Sequence, residues 1–426
     1  MARIFKNLPD NSQAELHRRV TRSWGATFQN SMFEGTSESS LDLKTVRVIK
    51  SGKLSTATGT KPGSEADLLE NALELSEYGT GVDYGFPGLA GYEDIELANP
   101  EVPEMDFPEM IEIGDDLMQS ILKVEPKIRA SSSVRAQVVE VSLDNSNGFS
   151  GKYMKTVVSA GLGAQYIQGD DFLWFGEYRS SWANDIDYED LKREVIRLFE
   201  WSKQTVGMTT GSYPVIFAPG EVGHLTRPFI ASLNGKAVTR GISPLEDKIG
   251  EQLLDPRVTL VDDGTLPREV SSAPFDREGV LTQSNVLIDQ GVPKSILTDL
   301  ETARQLGTKS TGNGSGQGPM PHRVILLPGE QSLEQLIAGI DLGVIIFGTM
   351  GAWTGNPFSG NVSGTISLGL KIAKGEIVGR VKNCMFSMNS FKHFKDHLIG
   401  FSQETKATRD ATYPYVALDD VVITTG

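Results

Sequence analysis

The chain has 426 residues, enough for two domains and a sizeable core. Hydrophobic residues make up 39% and charged residues 22%, an ordinary globular composition, and no apolar run is long enough to predict a membrane span. The net charge of −15 argues against direct nucleic-acid binding, because affinity for a phosphate backbone rests on Lys and Arg displacing counterions.

The acidity is concentrated. From Pro62 to Leu122 there is no Lys or Arg but there are 16 Asp and Glu, so this stretch accounts for the whole excess. The first residues hold no apolar stretch suited to a secretory signal. A single cysteine, Cys384, excludes an internal disulfide framework and suits a reducing compartment. A cytoplasmic location is expected.

In chain order, a helix is predicted from Ser12 to Trp24. Lys44 to Ile49 alternates, Ser51-Gly52 reads as a tight turn, and Lys53 to Thr58 continues the hairpin. Ser64 can cap a helix whose first turn holds Glu65 and Asp67, with Leu68, Leu69, Ala72 and Leu73 at helical spacing and Gly79 as its end. Gly79 to Pro108 reads as a long connection. A second amphipathic helix carries Met110, Ile113, Leu117, Ile121 and Leu122. The period then changes to two. Val139, Val141 and Leu143 alternate with polar residues, Asn145 to Gly148 forms a turn, and further strands at 152–159, 164–168 and 172–182 complete an antiparallel meander. A third helix is expected from Tyr188 to about Thr205. Beyond Gly207 the apolar runs are short, as at 215–218, 258–262, 324–327 and 344–347, and turn signals recur. These features divide the chain into an α+β domain at 1–207 and a β-rich domain at 208–426.

Candidate chemistry is sparse. His393 and His397 sit four apart, a spacing that puts two imidazoles on one helical face, but no Glu follows His393 and no third ligand is evident. Glu221 and His224 could form an acid/base pair or a surface hydrogen-bonding pair. Cys384, between Val381 and Phe386, reads as a buried strand residue rather than a reactive thiolate. The glycine-rich stretch 307–320 does not match a phosphate loop and reads as a flexible lid or disordered loop. The loop 351–363 could offer backbone amides to an extended peptide through Gly351, Trp353, Asn356, Ser359, Asn361 and Ser363, or could simply be turns between strands.

Several of these segments, in their order, resemble the TldD/PmbA metallopeptidase family, also described as modulators of DNA gyrase. They are Val46 to Leu54 with the helix at Ser64, the turn Asn145 to Gly148, Ala273-Pro-Phe-Asp-Arg-Glu-Gly-Val280, Ser310-Thr-Gly-Asn-Gly314, Gly355 to Ser363 and Gly375-Glu-Ile377. The resemblance implies an N-terminal α+β domain with an antiparallel sheet and a barrel-like C-terminal domain. It also implies a dimer enclosing a chamber for unfolded or short peptides. The family's catalytic branch carries an HExxxH motif and a C-terminal Cys ligand. Here the equivalent positions fall at Arg227, Pro228 and Ser232, and Ala411 to Val416 holds no Cys. The chain therefore resembles the PmbA/TldE branch, expected to bind no metal and to be inactive alone, with zinc supplied by an HExxxH-bearing partner. A homodimer, a repurposed amide-bond enzyme acting on peptide-derived metabolites through Glu221 and His224, and a regulatory binding protein are the alternatives.

Overall fold

The computed structural model describes residues 3–88 and 91–426. A seven-stranded antiparallel sheet is built from β1 (Ser12–Gln29), β2 (Met32–Lys50), β3 (Lys53–Gly59), β4 (Thr80–Gly81), β5 (Arg129–Asn145), β6 (Ser150–Gln168) and β7 (Asp171–Ser181), in the order β4-β3-β2-β1-β5-β6-β7. Helices α1 (Glu65–Leu75), α2 (Phe107–Val124) and α3 (Tyr188–Ser202) accompany it. The expected Ser51-Gly52 turn is there, with φ of +52° and +75°.

Residues Ser12 to Trp24 are not a helix. They open β1, a central strand paired with both β2 and β5. Leu16, Val20 and Trp24 are spaced by four, which satisfies a helix. Ala14, Ala26 and Phe28 fall on the same parity, which only a strand satisfies, and cross-strand pairing on both sides outweighs local propensity.

The three helices lie where expected, but Ser64 does not cap α1 with its side chain; its hydroxyl turns back and donates to the Lys61 carbonyl at 2.7 Å. Asp106 caps α2 by accepting from the Glu109 N–H, and Asp187 caps α3 by accepting from the Asp190 N–H. Both helices pack on one face of the sheet. There Met110, Leu117, Ile121, Leu191, Val195, Leu198 and Phe199 meet Trp24, Val134, Ala136, Val158, Leu162 and Phe175. Each large side chain buried this way contributes about 1.5–3 kcal/mol. The buried indole of Trp24 donates to the Met105 carbonyl at 2.9 Å, so its one polar atom is satisfied.

The second sheet comprises β8 (Gly211–Phe217), β9 (Leu260–Asp263), β10 (Ser284–Asp289), β11 (Val292–Pro293), β12 (Val324–Leu326), β13 (Leu342–Met350), β14 (Asn361–Ala373), β15 (Glu376–Val381), β16 (Cys384–Asn389), β17 (Leu398–Ala407) and β18 (Ala411–Thr425). Strand β8 pairs with β13 in parallel and with β18 antiparallel, which closes β8-β13-β14-β16-β18 into a five-stranded barrel. Around it lie α4 (Pro219–Ser232), α5 (Gly235–Thr239), α6 (Leu300–Leu306), α7 (Leu333–Ala338) and α8 (Ser390–Asp396). No described helix is long and apolar enough to cross a membrane.

Candidate functional site

Strand β8 ends in Val215, Ile216 and Phe217, all fully buried in the barrel, and leads straight into α4. Pro219 takes the first helical position, where its missing N–H costs nothing. Helix α4 carries Arg227, Pro228 and Ser232, the three positions expected from the resemblance to correspond to HExxxH, and each makes a structural contact. The Arg227 guanidinium donates to the carbonyls of Trp353 at 2.7 Å and Gly355 at 3.4 Å, clamping the 351–363 loop to the helix. Pro228 is buried within the helix and brings no donor for its own turn. The buried Ser232 hydroxyl donates to the Pro228 carbonyl at 2.7 Å.

One turn earlier, Glu221 accepts from the Thr349 hydroxyl at 2.5 Å and lies 3.9 Å from His224 Nε2, too far for a direct hydrogen bond. Burial raises the Glu221 carboxyl above its ordinary value, against the opposing pull of Thr349 and His224. The His224 ring leans on Trp353 at 5.9 Å.

Within the loop itself, most polar groups serve the loop. Asn356 Oδ1 accepts from the Phe358 N–H at 3.0 Å, and the Ser359 hydroxyl donates to the Asn356 carbonyl at 2.8 Å. Asn389 Nδ2 ties down the Ser359 carbonyl and Asn361 Oδ1, both at 2.9 Å. Gly351 stands at φ +84°. Trp353 is 53% exposed, and Asn356, Ser359, Asn361 and Ser363 also face solvent.

The other candidates resolve plainly. His393 sits on α8, but its Nδ1 lies 2.8 Å from the Asn389 carbonyl and its Nε2 3.2 Å from the Asp420 carbonyl; His397 caps the helix end. Cys384 begins β16 and is buried. The glycine-rich stretch 307–320 is not a lid. Asn313 is buried and donates to Asp262 Oδ2 at 2.6 Å and to the Met320 carbonyl at 2.9 Å. The Gly314 N–H donates to Asp276 Oδ2 at 2.7 Å. The segments Ala273 to Val280 and Ser310 to Gly314 thus form one buried joint.

The first sheet plugs into this joint through residues that motif reading passed over. Arg47 on β2 donates to Glu15 on β1 at 2.9 Å and to Glu278 at 3.0 Å, and all three are buried. Glu278 in turn accepts from the Leu300 N–H at the start of α6. His17 Nδ1 accepts from Arg277 at 2.9 Å, because burial and the nearby Arg277, Arg19 and Arg47 hold the imidazole neutral, with its pKa down at about 3.

A cavity of about 780 Å³ opens between the first sheet and the barrel, lined by Arg135, Gly163, Trp174, Gly220, Phe347 and Arg409 among others. On β6, Lys155 rests its amine on the Ser272 carbonyl at 2.7 Å. Burial, then Arg19 and Arg409, depress this amine from 10.5 to about 8. Between those values the unfolded chain holds a proton that the folded chain has lost, so this group makes stability rise as pH climbs through that window. Urea unfolding across the window should show the rise in the parent and lose it in Lys155→Gln; parallel curves would refute the assignment.

A sheet with helices on one face, joined to a closed barrel whose first strand feeds a helix at the motif position, is an architecture with solved counterparts. TldE from Thermococcus kodakarensis superposes with a TM-score of 0.88 over 97% of this chain and 96% of that one, at 22% identity. A Thermotoga maritima protein described as a candidate modulator of a DNA gyrase gives 0.89 over the same shares, at 23% identity. These likenesses concern the fold. Residues 210–425 match the family described as the PmbA/TldA metallopeptidase C-terminal domain, and the chain belongs to that family. An uncharacterized protein of Methanocaldococcus jannaschii is 28% identical over 360 residues, 82% of each chain. A metalloprotease TldD homolog of Buchnera aphidicola is 30% identical over 225 residues, 49% of this chain and 46% of that one, so the chain spans about half the length of this relative.

The family name implies a metal. Arg227, Pro228 and Ser232 on α4 do not fit one: a clamping guanidinium, a buried proline and a committed hydroxyl offer no ligand, and Glu221 with His224 makes only two. Among the described residues, no three His, Cys, Asp or Glu side chains gather as a metal-binding group.

Proposed function

We propose that this chain is the non-catalytic half of a heterodimeric, TldD/TldE-type zinc peptidase acting on unfolded or short peptides. It completes the substrate chamber while an HExxxH-bearing partner supplies the metal. The observation that carries the reading is α4, where Arg227, Pro228 and Ser232 stand at the motif positions and are spent on holding a loop and a helix together. The likeness to TldE supports it. Within the chamber, Trp353 and the backbone of the 351–363 loop, pinned by Arg227, offer a fixed surface for an extended peptide. Holding a peptide over a partner's metal lowers the barrier by positioning.

The test compares peptide hydrolysis and bound zinc for this chain, an HExxxH-bearing relative and their mixture. Hydrolysis raised in a co-eluting mixture, with zinc confined to the partner, is expected. Chelator-resistant hydrolysis by this chain alone, lost in Glu221→Gln, would replace this reading with that of a repurposed amide-bond enzyme. Absence of co-elution with no gain in hydrolysis would leave an independent binding protein or homodimer.

A further inference from the structure

Side chains alternate faces along a strand, so the registers sort the first sheet into two surfaces. One is covered by α2 and α3. The other faces the barrel across the cavity. On its open stretch lie Arg19 to Thr27 of β1 at odd positions, and across the pairings the odd positions of 35–43, 131–139 and 155–163 and the even positions of 174–180. None of these positions holds Asp or Glu. The acids of the same strands, Glu38, Asp42, Glu140 and Glu177, all fall on the other face. The chain carries a net charge of −15, yet this surface is purely cationic.

The cations also lack carboxylate partners among the described residues, although the Lys155 amine donates to the Ser272 carbonyl at 2.7 Å and the Val270 carbonyl at 3.5 Å. Arg18, Arg22, Arg47 and Arg179 on these strands make ion pairs. Arg19, Arg135, Lys155 and Arg409 make none with any described carboxylate; Arg135 only donates to the Ser23 hydroxyl at 3.3 Å. Arg19 and Arg409 each stand close enough to Lys155 to weigh against its charge. Like charges left together without a counter-charge mark a place where an anion is missing. Arg135 pairs across the sheet with Ser159, four residues beyond Lys155, which puts the second cationic point about 13 Å further along the strand direction.

We infer that this face binds an acidic, extended polypeptide segment, with Arg19, Lys155 and Arg409 receiving one carboxylate and Arg135 a second, four residues away. In an extended segment, residues four apart point the same way, so the spacing of the cations matches the repeat of the ligand. Toward the β7 edge of the face, Gly161 and Gly163 carry no side chains of their own and are flanked by the rings of Tyr178 and Trp174. Trp174, 55% exposed, stands beside it as an apolar wall. Among the charged side chains lining the cleft, Arg135, Arg179, Lys406 and Arg409 outnumber Glu177 and Asp410 in an otherwise acidic molecule, and its narrowness favours a single peptide strand over nucleic acid. This inference rests on the peptide-chamber reading and names the ligand class.

The test is anisotropy of labelled, unstructured peptides with Glu, Gln or Lys at every fourth position, and of a single-stranded oligonucleotide, against the intact chain. The Glu peptide should bind about tenfold tighter than its Gln counterpart at low salt, and the preference should shrink as salt is added. Arg135→Gln and Arg409→Gln should each weaken it about fivefold, with unchanged circular dichroism. Arg193→Gln, on the exposed side of α3, should change nothing. Equal binding of Glu and Gln peptides would overturn the inference while leaving the chamber reading intact. Tighter binding of the oligonucleotide, or an equal loss in Arg193→Gln, would overturn it as well. A Glu preference in a chain that fails to raise its partner's hydrolysis would keep the inference and remove the subunit reading.

Discussion

Arg47→Ala is expected to lower unfolding stability by about 3–5 kcal/mol, because it strips the counter-charge from two buried carboxylates. Glu15 is 1% exposed and Glu278 3%. Burial already raises the Glu15 carboxyl above its ordinary value, and only Arg47 opposes this strongly. One Glu15 oxygen has no hydrogen-bond partner at all. With Arg47 gone, both acids must either protonate or remain charged in a poorly solvating site. A triple variant, Arg47→Met with Glu15→Gln and Glu278→Gln, should recover most of the loss, since no buried charge is then left without its partner. Denaturant unfolding measures both. A loss below about 1 kcal/mol for Arg47→Ala, the range of exposed ion pairs, would show that water reaches the joint.

Gly312→Ala should cost about 2–4 kcal/mol, and Gly307→Ala only about 1 kcal/mol, although the two glycines share nearly the same backbone. Their φ values are +73° and +67°. Both substitutions place an L side chain in the left-handed region, which costs roughly 1–2 kcal/mol. They differ in what a Cβ would meet. At Gly307 nothing lies within 4 Å; at Gly312 the Leu281 carbonyl oxygen would be 2.2 Å away. That oxygen belongs to backbone and cannot swing aside, so overpacking adds about 1–3 kcal/mol. Paired thermal or urea unfolding of the two variants isolates the contact. Equal losses would mean that the 307–320 stretch moves away from Leu281 and is looser than its hydrogen bonds imply.

Much of the first sheet and its helices was legible because local signals agreed with the fold. Helices α1, α2 and α3 show their apolar spacing, and the meander β5 to β7 shows its turn and its alternation. Strand β1 was not, because apolar residues spaced by four satisfy a helix and a strand equally, and only the partners on either side decide. The 307–320 stretch misled for a related reason. Glycine composition reports conformational freedom, whereas here Gly312 and Gly314 are small because Leu281 and Glu278 press against them. The motif positions Arg227, Pro228 and Ser232 could be found by alignment, but the use of Arg227 as a clamp on Trp353 and Gly355 depends on contacts 126 and 128 residues away. The joint of Arg47 with Glu278 spans 231 residues and carries no local signal at all.

The division of the first sheet into a cationic face and an apolar face depends on counting residues by twos, and this limits how the gene can change length. One codon lost within β5 would hand the place of Arg135 to a neighbour of opposite parity and turn Val134 and Ala136, now buried against α2, toward the cleft. The guanidinium would be forced under the helix in exchange. Single-codon insertions and deletions are therefore best tolerated where the pairing stops, at Asn30-Ser31, Ser51-Gly52, Ser146 to Gly148 or Gly169-Asp170, or at a bulge such as the one beside Thr27 and Phe28, while elsewhere the strands keep their faces only by changing in steps of two.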